Sequence, residues 1–498
     1  MISTSSTEPA VSKGQTMTRN TWLCIALVVL AGLIARWLAF APFDISHADE
    51  IMQYLEQGKR LASGHGIVPW EYRYGARNEL IPQLLAVPFW LGAKLAPGTL
   101  AGMLAARWLF LGLTLLALPA AWKLGALTSR THALAALFVA AVWYENVLFS
   151  ALLLSEVLSA ALIALAAALL LADAPSRAAL RWAGLLLGLG VLVRLQYAPF
   201  AAVLALVRLR TDWRMWGQVL LGGLGALAIG MVSDLIAGQV PLRWIWVNFS
   251  YNMGQGRAAR FGASGPLEYV RLLLVHLGPA APLIVAGAVL SPPRYRPLVL
   301  ALVVNVLFHS LIAHKEYRFI WVSVWSLTVL AGIGSVSLAQ WLAERRSGRL
   351  SAPVLAALAI LWLAAGYAGE RQSGGARIMR GGAPIPLAAN DAARRNQTCG
   401  IALPDQWRAH LVPALLPREI PLYVAPAGVM GQSQPLPAGI AGAADVLVFP
   451  ARPMGAQNYR ELTCRANAVI KACVYVRPGG CLDDPAGSYQ AALEREDL

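Results

Sequence analysis

Two short strings hold the side chains best suited to chemistry, His47-Ala48-Asp49-Glu50 and His314-Lys315-Glu316-Tyr317-Arg318-Phe319. An ionised carboxylate can take a proton from a hydroxyl as general base, and adjacent Asp49 and Glu50 offer two. His314, Lys315 and Arg318 form a compact set of cations suited to a phosphate or another anion. Both strings also admit a purely structural role. Ser46-His47-Ala48-Asp49 fits a capping box, in which Ser46 caps a first helical turn and Asp49 reaches back to its N–H. In that case a base role passes to Glu50. The same geometry predicts a helix over 47–62, with Ile51, Tyr54, Leu55 and Leu61 on its apolar face and Gly64 at its end. Lys315 and Arg318 fit cations that stretch from a helix end to a lipid headgroup layer, which leaves His314 and Glu316 without a reason.

The elements that must position these strings are membrane helices. The chain of 498 residues is 57% hydrophobic and only 13% charged, against about 25% charged in an ordinary soluble domain. Its mean hydropathy is +0.56. This excludes a soluble enzyme and predicts an all-α polytopic membrane protein. The net charge of +15 reflects basic loops and contact with anionic lipid rather than nucleic acid, so no nucleic-acid partner is expected.

Apolar runs near the roughly 20 residues that a bilayer requires occupy 22–40, 101–122, 132–149, 156–172, 216–237, 272–290, 298–313, 319–341 and 352–367. A further apolar region, 182–207, is interrupted by Arg194-Leu195-Gln196 and predicts two short helices. Segment 80–95 carries Pro82 and Pro88 and predicts a surface or re-entrant helix. About ten to eleven transmembrane helices result.

Placing the N-terminus inside collects Lys13, Arg19, Lys123, Arg130, Arg177, Arg181, Arg208, Arg210, Arg214, Arg294, Arg296, Arg345, Arg346 and Arg349 in the cytoplasm, as the inside-positive rule expects. Residues 1–20 then form a disordered cytoplasmic segment, 21–369 the transmembrane domain, and 370–498 a small external α/β domain. Large external loops cover 41–99 and 238–271. The second of these carries Arg243, Arg257, Arg260 and Arg271 against the single acid Glu268, a break in the charge pattern that marks it for function.

In the tail, 444–448 and 474–476 predict strands and 406–415 a helix. Cys399, Cys464, Cys473 and Cys481 all lie there, which predicts two disulfides in an oxidising compartment, with Cys473 and Cys481 closing the turn at Pro478-Gly479-Gly480; a zinc site is the weaker rival, because no Cys-x-x-Cys pair is present. Charge and thiol usage thus agree on an external tail. The compact external loops and the lack of an organelle-retention signal point to a bacterial inner membrane. Arg107 and Arg194 sit inside apolar runs, where charge is expensive and often functional; pairing of either with Glu145 or Glu156 is the equal structural alternative.

His47-Ala48-Asp49-Glu50, followed by Gln53, Leu55-Glu56, Gly64-His65-Gly66, Trp70-Glu71-Tyr72 and Arg77, resembles the first luminal loop of the dolichyl-phosphate-mannose-dependent mannosyltransferases, the Alg-type and GPI-anchor enzymes of the GT-C superfamily. The family string reads His-Pro-Asp-Glu, Gln, Leu-Glu, Thr-Trp-Glu-Trp and Arg-Ser. Here Ala48, Pro69, Tyr72 and Asn78 replace its Pro, Thr, second Trp and Ser. The 314–319 string is similar to the family's His-Lys-Glu-x-Arg-Phe, and Asp234, Pro241 and Asn248 resemble its Asp…Pro…Asn segment.

The resemblance, which runs from about Arg36 to Phe319, implies a GT-C fold and an inverting transfer of a hexose, mannose by analogy, from a polyprenyl-phosphate carrier to a glycan or glycolipid acceptor at the membrane lipid surface. It implies Asp49 as base with Glu50 as second carboxylate. It further implies His47, Gln53, Trp70, Glu71, Arg77 and Asn248 as substrate-binding, and His314, Lys315, Glu316 and Arg318 as holding the carrier phosphate. No metal and no cofactor besides the donor are expected. The alternatives are a secondary transporter, which would show repeated halves and broken helices, and a lipid-linked glycan ligase moving a whole oligosaccharide.

Overall fold

The computed structural model describes residues 18–346, 348, 350–378 and 381–496. The disordered segment expected over 1–20 therefore lies outside the described residues up to position 17. Among the described residues, six helices are long and apolar enough to cross a bilayer: Arg19–Ala39, Ala101–Ala126, Trp213–Ile236, Glu268–Val289, Tyr317–Arg345 and Ala352–Ser373. A seventh crossing results if Arg130–Val142 and Tyr144–Ser150, bent by 58°, act as one. Other expected crossings fall on shorter apolar helices such as Ser155–Leu170, with 16 residues, and Arg296–Ser310, with 15. The 182–207 region breaks at Arg194 as expected, between helices Arg177–Val193 and Ala198–Leu209.

Two compact units result. The first holds the chain to Phe40, Gly112–Met231 and Asn252–Gly375. Helix Trp321–Arg345 is buried over most of its N-terminal half. Glycine permits its close approach to helix Ala281–Val289: a Cβ at Gly334 would sit 1.8 Å from the Gly287 carbonyl oxygen. Small residues at such crossings let helix backbones touch where lipid gives no hydrophobic drive.

The bend at Trp143 exposes backbone carbonyls, which hydrocarbon cannot hydrogen-bond. Arg36, itself buried, answers them by donating to Ala141 O at 2.8 Å, Ala140 O at 3.0 Å and Asn146 O at 3.3 Å.

The second unit holds Ala41–Leu111, Val232–Tyr251 and Ala376–Leu498. Its five strands are β1 (Ile401–Leu403), β2 (Leu422–Val424), β3 (Val446–Phe449), β4 (Arg460–Ala466) and β5 (Lys471–Val476), in the order β2-β1-β3-β5-β4. The first three run parallel, and β5 is antiparallel to both β3 and β4. Helix Pro384–Ala393 lays Ile385, Ala388, Ala389, Ala392 and Ala393 inward and is almost wholly buried. The strands expected at 444–448 and 474–476 are present, and the helix expected over 406–415 is reduced to Gln406–Ala409 and a short turn at Pro413–Leu415.

Two disulfides form, but not with the expected pairing. Cys473 bonds Cys464 and Cys481 bonds Cys399. Register explains the first, because Cys464 stands directly opposite Cys473 in the β4–β5 ladder. Cys481 lies beyond the following turn, at a place where the chain returns to the residue ahead of β1.

Candidate active site

The carboxylate string begins a helical segment that is wider than expected. Ala48 and Asp49 are helical, and Glu50–Leu55 continues as a π-helix in which the Glu56 N–H donates to Ile51 O. Helix Glu56–Ser63 follows and ends at Gly64, whose φ of +83° is the left-handed conformation glycine permits. π-turns are rare and gather at functional sites. The wider turn also changes which face is buried. Ile51, Tyr54 and Leu55 are inside as expected, but Leu61 is exposed, and Glu56, Gln57 and Gly58 take the buried stripe.

The adjacent acids are placed differently. Glu50 is 1% exposed and forms an ion pair with Arg107. Arg107 thus finds an acid in Glu50; an arginine in an apolar run is the sequence signal, and this partner comes from the string itself. Asp49 and His47 are half-buried, and the Asp49 side chain does not cap the π-helix.

Around them stands a polar wall from the same loop. Gln53 Nε2 donates to Glu71 Oε1 at 2.8 Å, and the Tyr72 hydroxyl donates to Gln53 O at 2.7 Å. Arg77 donates to the Tyr54 hydroxyl at 2.6 Å and lies 5.5 Å from that ring's centre. Burial pushes the Glu71 carboxyl above the usual range; Arg77 pulls against this and Asp49 adds to it. Burial also weighs against charge on Arg77, but Tyr54, Glu71, Tyr72 and Asp49 outweigh it and hold the guanidinium firmly protonated.

Trp70 is buried and stacks on Tyr251 with centroids 6.2 Å apart, while Tyr74 meets Tyr251 at 5.2 Å. Asn248 Nδ2 donates to Ala76 O at 3.1 Å, so Asn248 joins Trp70 through the backbone of the same loop. Asp234 accepts from Leu242 N at 2.6 Å and braces the turn that leads to Asn248.

The basic string, in the first unit, is organised around acids. Glu156 is fully buried, with Arg194 at 3.3 Å and Arg318 at 3.6 Å. Arg318 also donates to both oxygens of Glu316, at 2.7 and 3.0 Å, and His314 Nε2 lies 2.9 Å from Glu316 Oε1. Burial pushes Glu316 up, but the hydrogen bonds from His314 and Arg318, and their charge, outweigh it and hold the carboxyl well below its ordinary range. Lys315 Nζ donates to Ser264 O at 3.0 Å and Ile312 O at 2.5 Å. Arg194 thus pairs with Glu156 as expected, and the same acid also engages Arg318. In the sequence Glu156 carries little signal, because a single acid at a helix start is common.

Apolar spans followed by a small sheet-bearing segment also occur together in solved membrane enzymes with which this fold aligns. The crystal structure of ArnT from Cupriavidus metallidurans bound to undecaprenyl phosphate matches with a TM-score of 0.56 at 14% identity, over 94% of this chain and 100% of that one. The oligosaccharyltransferase of Archaeoglobus fulgidus matches with a TM-score of 0.51 at 14% identity, over 80% and 64% of the two chains. These likenesses speak to fold.

The chain belongs to the Alg9-like mannosyltransferase family, whose sequence pattern matches residues 27–384. That stretch contains both motif strings. GPI alpha-1,2-mannosyltransferase 3 of Danio rerio is 31% identical over 127 residues, 24% of this chain and 23% of that protein, so the match spans less than a quarter of this curated relative. With six helices long and apolar enough to cross a bilayer among the described residues, the chain is an integral, multi-pass membrane protein of that family, which sets the transporter alternative aside.

Proposed function

We propose that this enzyme transfers mannose from a polyprenyl-phosphate carrier to a glycan or glycolipid acceptor on the external face of a bacterial inner membrane, with the N-terminus cytoplasmic and the 370–498 segment external. Asp49 takes the proton of the acceptor hydroxyl while that oxygen attacks the anomeric carbon. The bond from this carbon to the phosphate oxygen breaks, its electron pair leaves with the polyprenyl phosphate, and the configuration inverts.

One observation carries the choice of base. The charge of Glu50 is matched inside the protein by Arg107, whereas Asp49 on the same turn is half-buried and is coupled electrostatically to Glu71 and Arg77. Glu50 then fixes the turn that presents Asp49. Gln53, Trp70, Glu71, Arg77 and Asn248 hold sugar or acceptor. His314, Lys315 and Arg318 stabilise the departing phosphate, which replaces some of the protein oxygens these cations now face. No metal enters these steps.

Support for the donor comes from the family and from ArnT, whose structure holds undecaprenyl phosphate. The likeness to an oligosaccharyltransferase favours a second reading, transfer of a whole oligosaccharide. Purified protein incubated with polyprenyl-phosphate [14C]mannose and membrane glycolipid should release one labelled sugar at a time into the acceptor. Transfer from a lipid-linked oligosaccharide, with none from the monosaccharide donor, contradicts the proposal in favour of the ligase.

A further inference from the structure

The segment from residue 381 onward lies, but for its first four residues, outside the stretch that the family pattern matches, and it is fastened to the loop that carries Asp49. Asp44 Oδ1 accepts from Gly381 N and Ala383 N, both at 2.9 Å. Lys59 Nζ donates to Pro413 O at 3.0 Å and to Leu416 O at 2.7 Å, and Val68 N donates to Gln490 Oε1 at 3.1 Å. Contact is tight enough that a Cβ at Gly382 would meet Ile45 O at 1.7 Å. These attachments lie on both sides of the π-helix in sequence and fix its neighbours.

Two of those neighbours are polar. Tyr489 is fully buried, with its hydroxyl 3.9 Å from Met52 Sδ on the π-helix. The same hydroxyl is hydrogen-bonded to His410 Nδ1. His410 closes the short helix Gln406–Ala409, whose start is capped by Asp405 accepting from Arg408 N at 2.8 Å. The imidazole is thereby held, through Tyr489, against the π-helix that follows Asp49.

We propose that His410 is a positioning residue for the Asp49 carboxylate, supplied to the active-site loop by the C-terminal segment. The charges that act on His410 agree with this. Burial pushes its imidazolium down, and Asp49 is the strongest of the three acids that oppose this, ahead of Asp405 and Glu496. With Nδ1 engaged by Tyr489, Nε2 remains as the polar atom through which the ring can steady a carboxylate. The carboxylate keeps one orientation while an acceptor hydroxyl approaches, and a misplacement of 1 Å at a catalytic group can cut the rate about 100-fold. The C-terminal segment thereby gains a task in the reaction that the motif strings leave unassigned. This role rests on Asp49 as the base, and its test separates the two claims.

The test uses the full-length protein in lipid nanodiscs with isotopically labelled histidine side chains. The chain has seven histidines, and His410→Gln identifies the His410 signal. In wild type and in Asp49→Asn, the protonation midpoint of His410 is read by NMR. Removing the negative charge should move the midpoint to lower pH; an unmoved midpoint overturns the proposal whatever the activity of the variant. In parallel, His410→Gln, which keeps a polar group for Tyr489, should lower kcat by up to about 100-fold with KM for the donor little changed. Tyr489→Phe should act in the same direction to a smaller extent. Wild-type kcat in His410→Gln also overturns the proposal. If Asp49→Asn still transfers sugar while the His410 midpoint moves, the base assignment fails and the coupling between the two residues stands.

Discussion

In the first loop, one acid of an adjacent pair is neutralised by a buried arginine and its neighbour stays half-buried among polar side chains. The 314–319 string reverses the signs. Its cations face protein oxygens: His314 and Arg318 face Glu316, Arg318 also faces Glu156, and Lys315 faces two backbone carbonyls. A carboxylate base must be able to accept a proton from outside, whereas cations meant for a phosphate can be held by weaker protein acceptors until the phosphate arrives. Under the proposed reading, the first region divides its pair between scaffold and chemistry, and the second keeps its positive groups aligned by acids that a dianion can outcompete.

The largest way to break this contrast is to remove the scaffold half of the first region. Arg107→Met leaves Glu50 buried without its cation and should destabilise the protein by about 3–5 kcal/mol, read as a lowered thermal or denaturant midpoint in detergent. The double variant Arg107→Met/Glu50→Gln should recover most of that loss. Recovery is the informative result, since a merely misfolded single variant would not be rescued by a second substitution.

In the second region, Arg318→Gln should remove one charge-assisted contact that the proposal gives to the carrier phosphate, a type of bond that contributes about 1.5–3 kcal/mol. KM for the polyprenyl donor should rise on the order of 10- to 100-fold, with truncated, lipid-free sugar phosphates affected alike. An unchanged KM would leave Arg318 a partner of Glu156 and Glu316 only.

The smallest effect concerns pH. Burial raises the Glu71 carboxyl, with Arg77 opposing and Asp49 reinforcing, so the folded protein binds this proton more tightly than the unfolded chain does. Its contribution to stability therefore declines as pH rises from the unfolded value, about 4.3, through the raised folded value. Glu71→Gln lacks that decline. Its thermal midpoint at neutral pH should equal or exceed wild type although activity falls. A midpoint several degrees lower at neutral pH would make Glu71 a stabilising partner of Arg77 instead.

Much of the fold and of the candidate site is legible in the sequence. The two strings, the break at Arg194, the stop at Gly64 and the spans over 319–341 and 352–367 follow from residue types and from periodicity, both of which act locally. The rest depends on features that local pattern does not carry. The π-turn at Glu50–Leu55 shifts the buried stripe and exposes Leu61, and hydrophobic spacing assumes a regular helix. The partner of Arg107 and the pairing of Cys473 with Cys464 depend on which distant segments meet. His410 carries no signal, because a lone histidine in a tail gives no hint of the loop it packs against.

In the proposed mechanism Asp49 and Glu50 have different tasks, and conservative replacement of each separates them. Asp49→Asn and Glu50→Gln should be compared in proteoliposomes with labelled polyprenyl-phosphate mannose, at matched amounts of folded protein. With Asp49 as the base, Asp49→Asn loses transfer by about 100- to 10,000-fold with donor binding and thermal midpoint retained, while Glu50→Gln keeps measurable transfer and shows its main defect in stability. Full activity in Asp49→Asn, or complete loss confined to a stably folded Glu50→Gln, would contradict this division.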